Sequence, residues 1–277
     1  MYAGFAVAVL VASFAPVDGD STLRVMSWNV RYDNPADGDD AWPNRKEQVA
    51  EYIQGMDVAG LQEALAHQIS DLAALLPEYA WFGVGRDDGV AGGEFTPVFY
   101  RHDRLELLES DTFWLSETPE VPGSRGWDAA ITRIVTYGQF RDRLTGAVFR
   151  LINTHFDHRG QEARRHSAEL LIRHIGGDAS VIVTGDFNAV PRSEPYRIIT
   201  AGHLSDAHAI TMAPPKGPAG TWSGFVVQKE EPSRRIDYVF VGKGVSVREH
   251  HIIDVRVAGR YVSDHLPVVV MLKIPAN

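Results

Sequence analysis

Eight polar side chains fall where apolar runs stop. Val181-Ile182-Val183 runs into Gly185-Asp186-Phe187-Asn188, so a carboxylate and an amide leave a strand two residues apart. Leu151-Ile152 leads into Asn153-Thr154-His155, Val25-Met26-Ser27-Trp28 into Asn29, and Val58–Leu61 into Gln62-Glu63. Asp237 interrupts the apolar run Ile236-Tyr238-Val239, and Asp264-His265 stand just before Leu266. Singly, each has an ordinary explanation as a turn residue, a helix cap or an ion pair, such as Asp237 with Arg234 or Arg235. Six strand ends carrying Asn, Glu, Asp or His are harder to explain by packing, because a buried charge is costly unless paired or metal-bound.

The donor types select the chemistry. Carboxylate and amide oxygens suit a hard cation, Mg2+ or Mn2+. His155 and His158 could belong to a zinc pair, but no HExxH and no cysteine supports one. Paired carboxylates such as Glu63 and Asp186 also leave open a metal-independent glycoside hydrolase.

Short runs rich in β-branched and aromatic residues predict strands at 23–30, 95–100, 131–140, 148–154, 180–184, 236–241, 245–253 and 266–272. Apolar residues at helical spacing predict helices at 44–54, 64–76 and 161–175. Helices fall between strands, which indicates an α/β (or α+β) layered fold. No long linker divides the chain, and Ala213–Gly220 reads as a loop. Residues 21–277 are therefore expected to form one domain. Residues 1–20 are an apolar segment, either an export-signal remnant or a plain extension. A signal would place the protein in the periplasm or outside the cell, and otherwise it is cytoplasmic. No run is long enough to predict an integral membrane span.

The 277 residues carry a net charge of −9 and no cysteine. Disulfides, thiolate metal sites and thiol catalysis are excluded. The acidic balance disfavours extended nucleic acid as a partner, but not a small phosphorylated one, since a bound cation reverses the local field.

The segments SWNVR (Ser27–Arg31), LQE (Leu61–Glu63), NTHFDH (Asn153–His158), GDFN (Gly185–Asn188), RIDYVFV (Arg235–Val241) and SDHLPV (Ser263–Val268) occur in an order that resembles the endonuclease/exonuclease/phosphatase superfamily of deoxyribonuclease I-like phosphohydrolases. The resemblance spans about residues 23–273, and the segments between the motifs look like a bacterial subgroup. It implies a four-layer sandwich, two packed mixed β-sheets flanked by helices, and a divalent-metal-dependent hydrolase of phosphate esters. It implies that Glu63 binds the metal with Asn29 and Asp264, and that Asp186 orients or deprotonates the attacking water. Asn188 would hold that water or the phosphate, His155 and His265 would contact phosphoryl oxygens, and Asp237 would orient His265. In-line attack with cations facing the developing charge is the economical route to such hydrolysis.

Specificity is expected from the segments 32–45 and 113–133. Arg31, Trp42, Arg45, Trp127, Arg133 and His158 are the candidate substrate contacts, with rings stacking on a base or sugar and guanidinium groups meeting phosphate. The basic run Arg159, Arg164, Arg165, His166 reads equally as a solvated helix face. The expected partner is a phosphorylated small molecule, lipid headgroup or nucleotide, and the expected state is a monomer. A nuclease is the alternative within the same superfamily.

Overall fold

The computed structural model describes residues 21–178, 180–227 and 232–275, so the apolar segment 1–20 lies outside the described residues. Two six-stranded mixed sheets are flanked by helices. The chain begins the first sheet with β1 (Leu23–Asn29), β2 (Val58–Gln62), β3 (Tyr79–Phe82) and β4 (Val98–Arg101). It then builds the second from β5 (Leu105–Trp114), β6 (Ile134–Asp142), β7 (Val148–His155), β8 (Val181–Asp186), β9 (Leu204–Asp206) and β10 (Asp237–Gly242). It returns to the first with β11 (Ser246–Ile252), forms a two-stranded ribbon from β12 (Arg256–Val257) and β13 (Arg260–Tyr261), and closes with β14 (Val268–Lys273). The strand orders are β11-β14-β1-β2-β4-β3 and β5-β6-β7-β8-β10-β9.

Each sheet contains one parallel pair, β1 with β2 and β7 with β8. Parallel neighbours need a crossover. Helix α1 (Lys46–Ile53) lies between the first pair and α3 (Gln161–Ile175) between the second. Helix α2 (Ala66–Leu75) follows β2, α4 (Glu194–Ala201) precedes β9, and α5 (Ala207–Ile210) follows it. The inner faces of both sheets share one core, in which Val25, Leu61 and Val268 join Leu151, Ile182 and Val239. A second core holds α3 and α4 against the outer face of the second sheet through Ile152, Leu171, Ile199 and Phe240.

The sheets approach closely at Gly60, where a Cβ would sit 2.2 Å from Thr184 Oγ1. A buried polar knot stitches them there. Gln62 Nε2 donates to Asn153 Oδ1 at 2.7 Å, and Asn153 Nδ2 donates to Leu61 O at 2.7 Å. Thr184 Oγ1 donates to Asn153 Oδ1 at 3.0 Å. All three side chains are fully buried, and their mutual hydrogen bonds offset the cost of burying them, although Gln62 Oε1 has no hydrogen-bond partner among the described residues. It fixes the register of the two parallel pairs just below their carboxyl ends.

The strand expected at 131–140 begins only at Ile134, because Ala130 N and Ile131 N donate to Asp157 instead of to a neighbouring strand. The strand expected at 95–100 shrinks to β4. Phe95 makes an isolated bridge to Ala64, which also keeps Ala64 out of α2.

Candidate active site

Strands β1, β2, β7 and β8 end at one edge of the sandwich. Their carboxyl ends are where open α/β sheets present ligand-binding groups. The ladder then sets the order. His155 of β7 pairs with Asp186 of β8, and Asp186 pairs with Asp237 of β10, so three functional side chains stand in a row. Asn29 ends β1 on the opposing sheet, and Glu63 follows β2. The turn carrying Asp264 and His265 is tied down by three bonds: Ser263 Oγ to Asn29 O at 2.7 Å, Trp28 Nε1 to His265 O at 3.0 Å, and Leu266 N to Thr221 O at 2.7 Å. Arg31, Glu63 and Asn188 all have positive φ, at 58°, 67° and 47°. Strained backbone of this kind persists where the surroundings enforce it, commonly at functional sites.

The eight strand-end residues come together. Asn29 Nδ2 bridges Glu63 Oε1 at 2.9 Å and Asp186 Oδ2 at 3.1 Å. Asp186 Oδ2 also lies 3.3 Å from His155 Nε2 and 3.7 Å from His265 Nε2. Asn188 N donates to Asp186 Oδ1 at 2.9 Å, and Asn188 Nδ2 donates to Phe156 O at 3.0 Å. Asp237 Oδ2 sits 2.9 Å from His265 Nδ1. Arg31 pairs with Asp37 and reaches Asp264 at 3.8 Å.

The two histidines are tuned apart. Burial works against a charged His265, but Asp237, Asp186 and Asp264 outweigh it and raise its pKa well above the ordinary value. Burial also dominates at His155, and there the positive Arg133 and Arg86 act with it, so His155 is held neutral. Burial and the neighbouring Asp237 push Asp186 up to about 7. Burial, with Glu63 adding its charge, pushes Asp264 up to about 6 against the pull of His265. A histidinium donor, a neutral histidine and a carboxylate that titrates near neutrality thus share one site, an arrangement suited to acid–base work.

Among the described residues, Asp186, Asp237 and His265 each offer a ligand atom within a 4.8 Å cluster. In that trio Asp237 Oδ2 and His265 Nδ1 already bond one another at 2.9 Å, so a cation there competes with their contact. Glu63 and Asp264 offer carboxylate oxygens as an alternative, while Asn29 turns its Nδ2 to Glu63 and Asp186 and its Oδ1 accepts from Arg31 N. Asp264 and Glu63 repel one another there, and a divalent cation relieves both that repulsion and the cost of burial. The two carboxylates are of the donor type that suits a hard cation.

This arrangement predicts a pH-dependent stabilisation by metal. Asp186 and Asp264 have folded pKa values above their ordinary 3.8. Folding therefore favours their protonated forms, and that contribution is complete below about pH 4 and lost as pH rises through about 6 to 7. A cation bound by deprotonated oxygens restores stability at the upper end. Thermal melts with and without Mg2+ should show a larger Tm increment at about pH 7.5 than at about pH 5. An increment independent of pH would contradict this cation seat.

The candidate substrate contacts are distributed differently. The expectation that Trp42 and Arg45 line a pocket is overturned, since both are buried. Trp42 Nε1 donates to Asp71, and the Arg45 guanidinium lies 5.2 Å from the Trp42 ring. Arg45 donates to the carbonyls of Val30, Arg31, Asp40 and Val262, which ties the chain just after Asn29 to the chain just before Ser263. Arg45→Ala should destabilise the fold by about 3 kcal/mol, since several buried carbonyls lose their donor together. A loss below about 1 kcal/mol in denaturant titration would show that Arg45 is dispensable.

Arg133 is also buried, at 4% exposure. Its Nη2 contacts His158 Nδ1 at 3.2 Å, and Nε lies 3.8 Å from Asp157. His158 itself is exposed. Trp127, partly exposed, stacks on His166 at 4.9 Å while Glu117 holds its backbone N–H. The basic run is a helix face of local contacts, with Arg165 bridging Glu162 and Glu169 and Arg164 reaching Asp157 O. Residues with no signal in the sequence also support the site. Thr221 Oγ1 accepts from Ile236 N and Asp237 N, and Glu94 pairs with Arg86 behind His155. Neither is flanked by a motif, so only the fold reveals them.

The model of the Endonuclease/Exonuclease/phosphatase family matches residues 26–265, and the chain belongs to that family, whose fold carries phosphoester hydrolysis. An endonuclease/exonuclease/phosphatase from Bacteroides vulgatus is 41% identical, with a TM-score of 0.86 over 92% of this chain and 100% of that one. The mannosyl-6-phosphatase of Bacteroides thetaiotaomicron is 35% identical, with a TM-score of 0.81 over 90% of this chain and 99% of that one. Nocturnin of Drosophila melanogaster is 26% identical over 211 residues, 67% of this chain but 31% of that protein's length.

Proposed function

We propose that the protein is a Mg2+- or Mn2+-dependent phosphomonoesterase acting on a compact, sugar-type phosphate ester. The observation that carries this reading is the convergence of Asn29, His155 and His265 on a single oxygen, Asp186 Oδ2. That oxygen is the natural acceptor for a proton from attacking water, at a pKa matched to neutral pH. Asn188 fixes the carboxylate from its backbone N–H and lends its amide to the water or phosphate. His265, held by Asp237, offers a charged donor to a phosphoryl oxygen, and His155 offers a neutral one. Glu63, Asp264 and Asn29 would hold the cation, which supplies positive charge against the phosphoryl oxygens.

The likeness to a mannosyl-6-phosphatase over nearly the whole chain favours a phosphosugar. The net charge of −9 weighs against extended nucleic acid. His158, Trp127 and Arg31 are the candidate sugar and phosphate contacts that remain accessible. Initial rates with Mg2+ on hexose 6-phosphates, phosphodiesters, inositol phosphates and oligonucleotides test the assignment. Hexose phosphate monoesters should lead, and preference for a diester or an oligonucleotide would refute it.

A further inference from the structure

Helix α3 begins without a cap of its own, because Gly160 stands at its N-cap position and offers no side chain. The cap comes instead from the long loop between β5 and β6. Asp128 Oδ1 accepts from Ala163 N at 2.6 Å, and Asp128 Oδ2 accepts from Glu162 N at 3.3 Å. These N–H groups have no partner within the helix, so the carboxylate meets a real need. Gly160 leaves room for it, since a Cβ there would sit 2.5 Å from Asp128 Oδ1 and 2.7 Å from Asp128 O.

Asp157 secures the same junction from the other side. Its Oδ2 accepts from Ala130 N at 3.0 Å and Ile131 N at 3.3 Å, both in the loop. Its Oδ1 accepts from Arg159 N at 2.9 Å and Gly160 N at 2.6 Å, in the turn before α3. Two carboxylates thus lock residues 128–131 onto residues 157–163. Two residues beyond the lock, buried Arg133 sets its Nη2 3.2 Å from His158 Nδ1. His158 is exposed, and it is close enough to His155 and Glu63 for their charges to interact. An imidazole in that position can meet a hydroxyl of the ester's organic part. A connection as long as this loop is uncommon without a function of its own.

We propose that Asp128, by clamping the loop onto α3, is a positioning residue that presents His158, through Arg133, to the sugar part of the substrate, and so sets which ester is accepted. The specificity role rests on the function proposed above, but the clamp does not.

Hydrogen exchange of the full-length protein without substrate, followed by mass spectrometry, reads the clamp. Amides of residues 117–131 should exchange about tenfold faster in Asp128→Ala, with β6 and β8 unchanged. Gly160→Ala, which crowds Asp128 from the helix side, should act alike, whereas Asp128→Asn keeps a capping oxygen and should resemble wild type. Initial rates with Mg2+ read the specificity role. Asp128→Ala should raise KM for mannose 6-phosphate about fivefold to tenfold and leave KM for phenyl phosphate unchanged, with kcat on either altered less than about threefold. Asp128→Ala combined with His158→Ala should match His158→Ala alone, as expected of residues acting in series. Unchanged loop exchange in both Asp128→Ala and Gly160→Ala overturns the clamp. Equal rises in KM for the two esters, or a further loss in the double variant, overturn the specificity role alone. If wild-type protein turns over no phosphate ester, the function proposed above fails and the specificity role falls with it, while the exchange result still decides the clamp.

Discussion

Asp186→Asn should lower kcat by about three to four orders of magnitude with little change in KM or fold. The amide preserves size and can still accept the Asn188 backbone N–H, but it cannot take a proton from water. It also presents an NH2 group within the space where Asn29, His155 and His265 now converge on Oδ2 at 3.1, 3.3 and 3.7 Å. Donor would then face donor. The Asp186 carboxylate is buried at a cost that raises its pKa to about 7, so its removal should leave stability unchanged or slightly improved. Lost activity with retained or raised Tm separates a reacting group from a structural one. Activity within about tenfold of wild type would remove Asp186 from the reaction.

The second large effect is expected at Asp237, which never needs to touch the substrate. Its Oδ2 holds His265 Nδ1 at 2.9 Å, and it is fully buried. Asp237→Asn removes the charge that sustains the His265 imidazolium and should reduce kcat by about 10²- to 10³-fold at neutral pH. The pH profile distinguishes this from simple damage. With Asp237 gone, the His265 pKa falls toward its ordinary value, so the charged donor is lost as pH rises through about 6.5. The same substitution relieves the repulsion on Asp186, so the base ionises at lower pH. Both changes move the optimum downward. A uniform fall in rate at every pH would mean that Asp237 acts only through structure.

The polar residues at the ends of β1, β2, β7, β8 and β10 were legible because each strand is a short apolar run that stops abruptly. A carboxylate or imidazole there has few structural uses. Helix α3 was legible end to end, since its apolar face repeats over fifteen residues and Gly160 and Gly176 bound it. Strand β5 was not. It is an edge strand with exposed Glu109, Ser110 and Asp111 and a bulge near Leu107, so it lacks both an apolar run and a clean alternation. Trp42 and Arg45 misled for a related reason. An Arg and a Trp in a polar loop read as a binding surface, and only the fold shows the guanidinium turned inward onto four carbonyls. Arg133 reads as a substrate contact, yet it is buried against His158 and Asp157, a placement that only the fold reveals.

We propose that a divalent cation and the Asp186 centre together hydrolyse a phosphate monoester. The most direct test of this claim is the release of inorganic phosphate from mannose 6-phosphate by protein stripped of metal with a chelator, then titrated with Mg2+, Mn2+ or Ca2+. Stripped protein should be inactive, and Mg2+ or Mn2+ should restore turnover in wild type but not in Asp186→Asn. Turnover by stripped wild-type protein would contradict the claim, as would metal-restored turnover in Asp186→Asn at the wild-type rate.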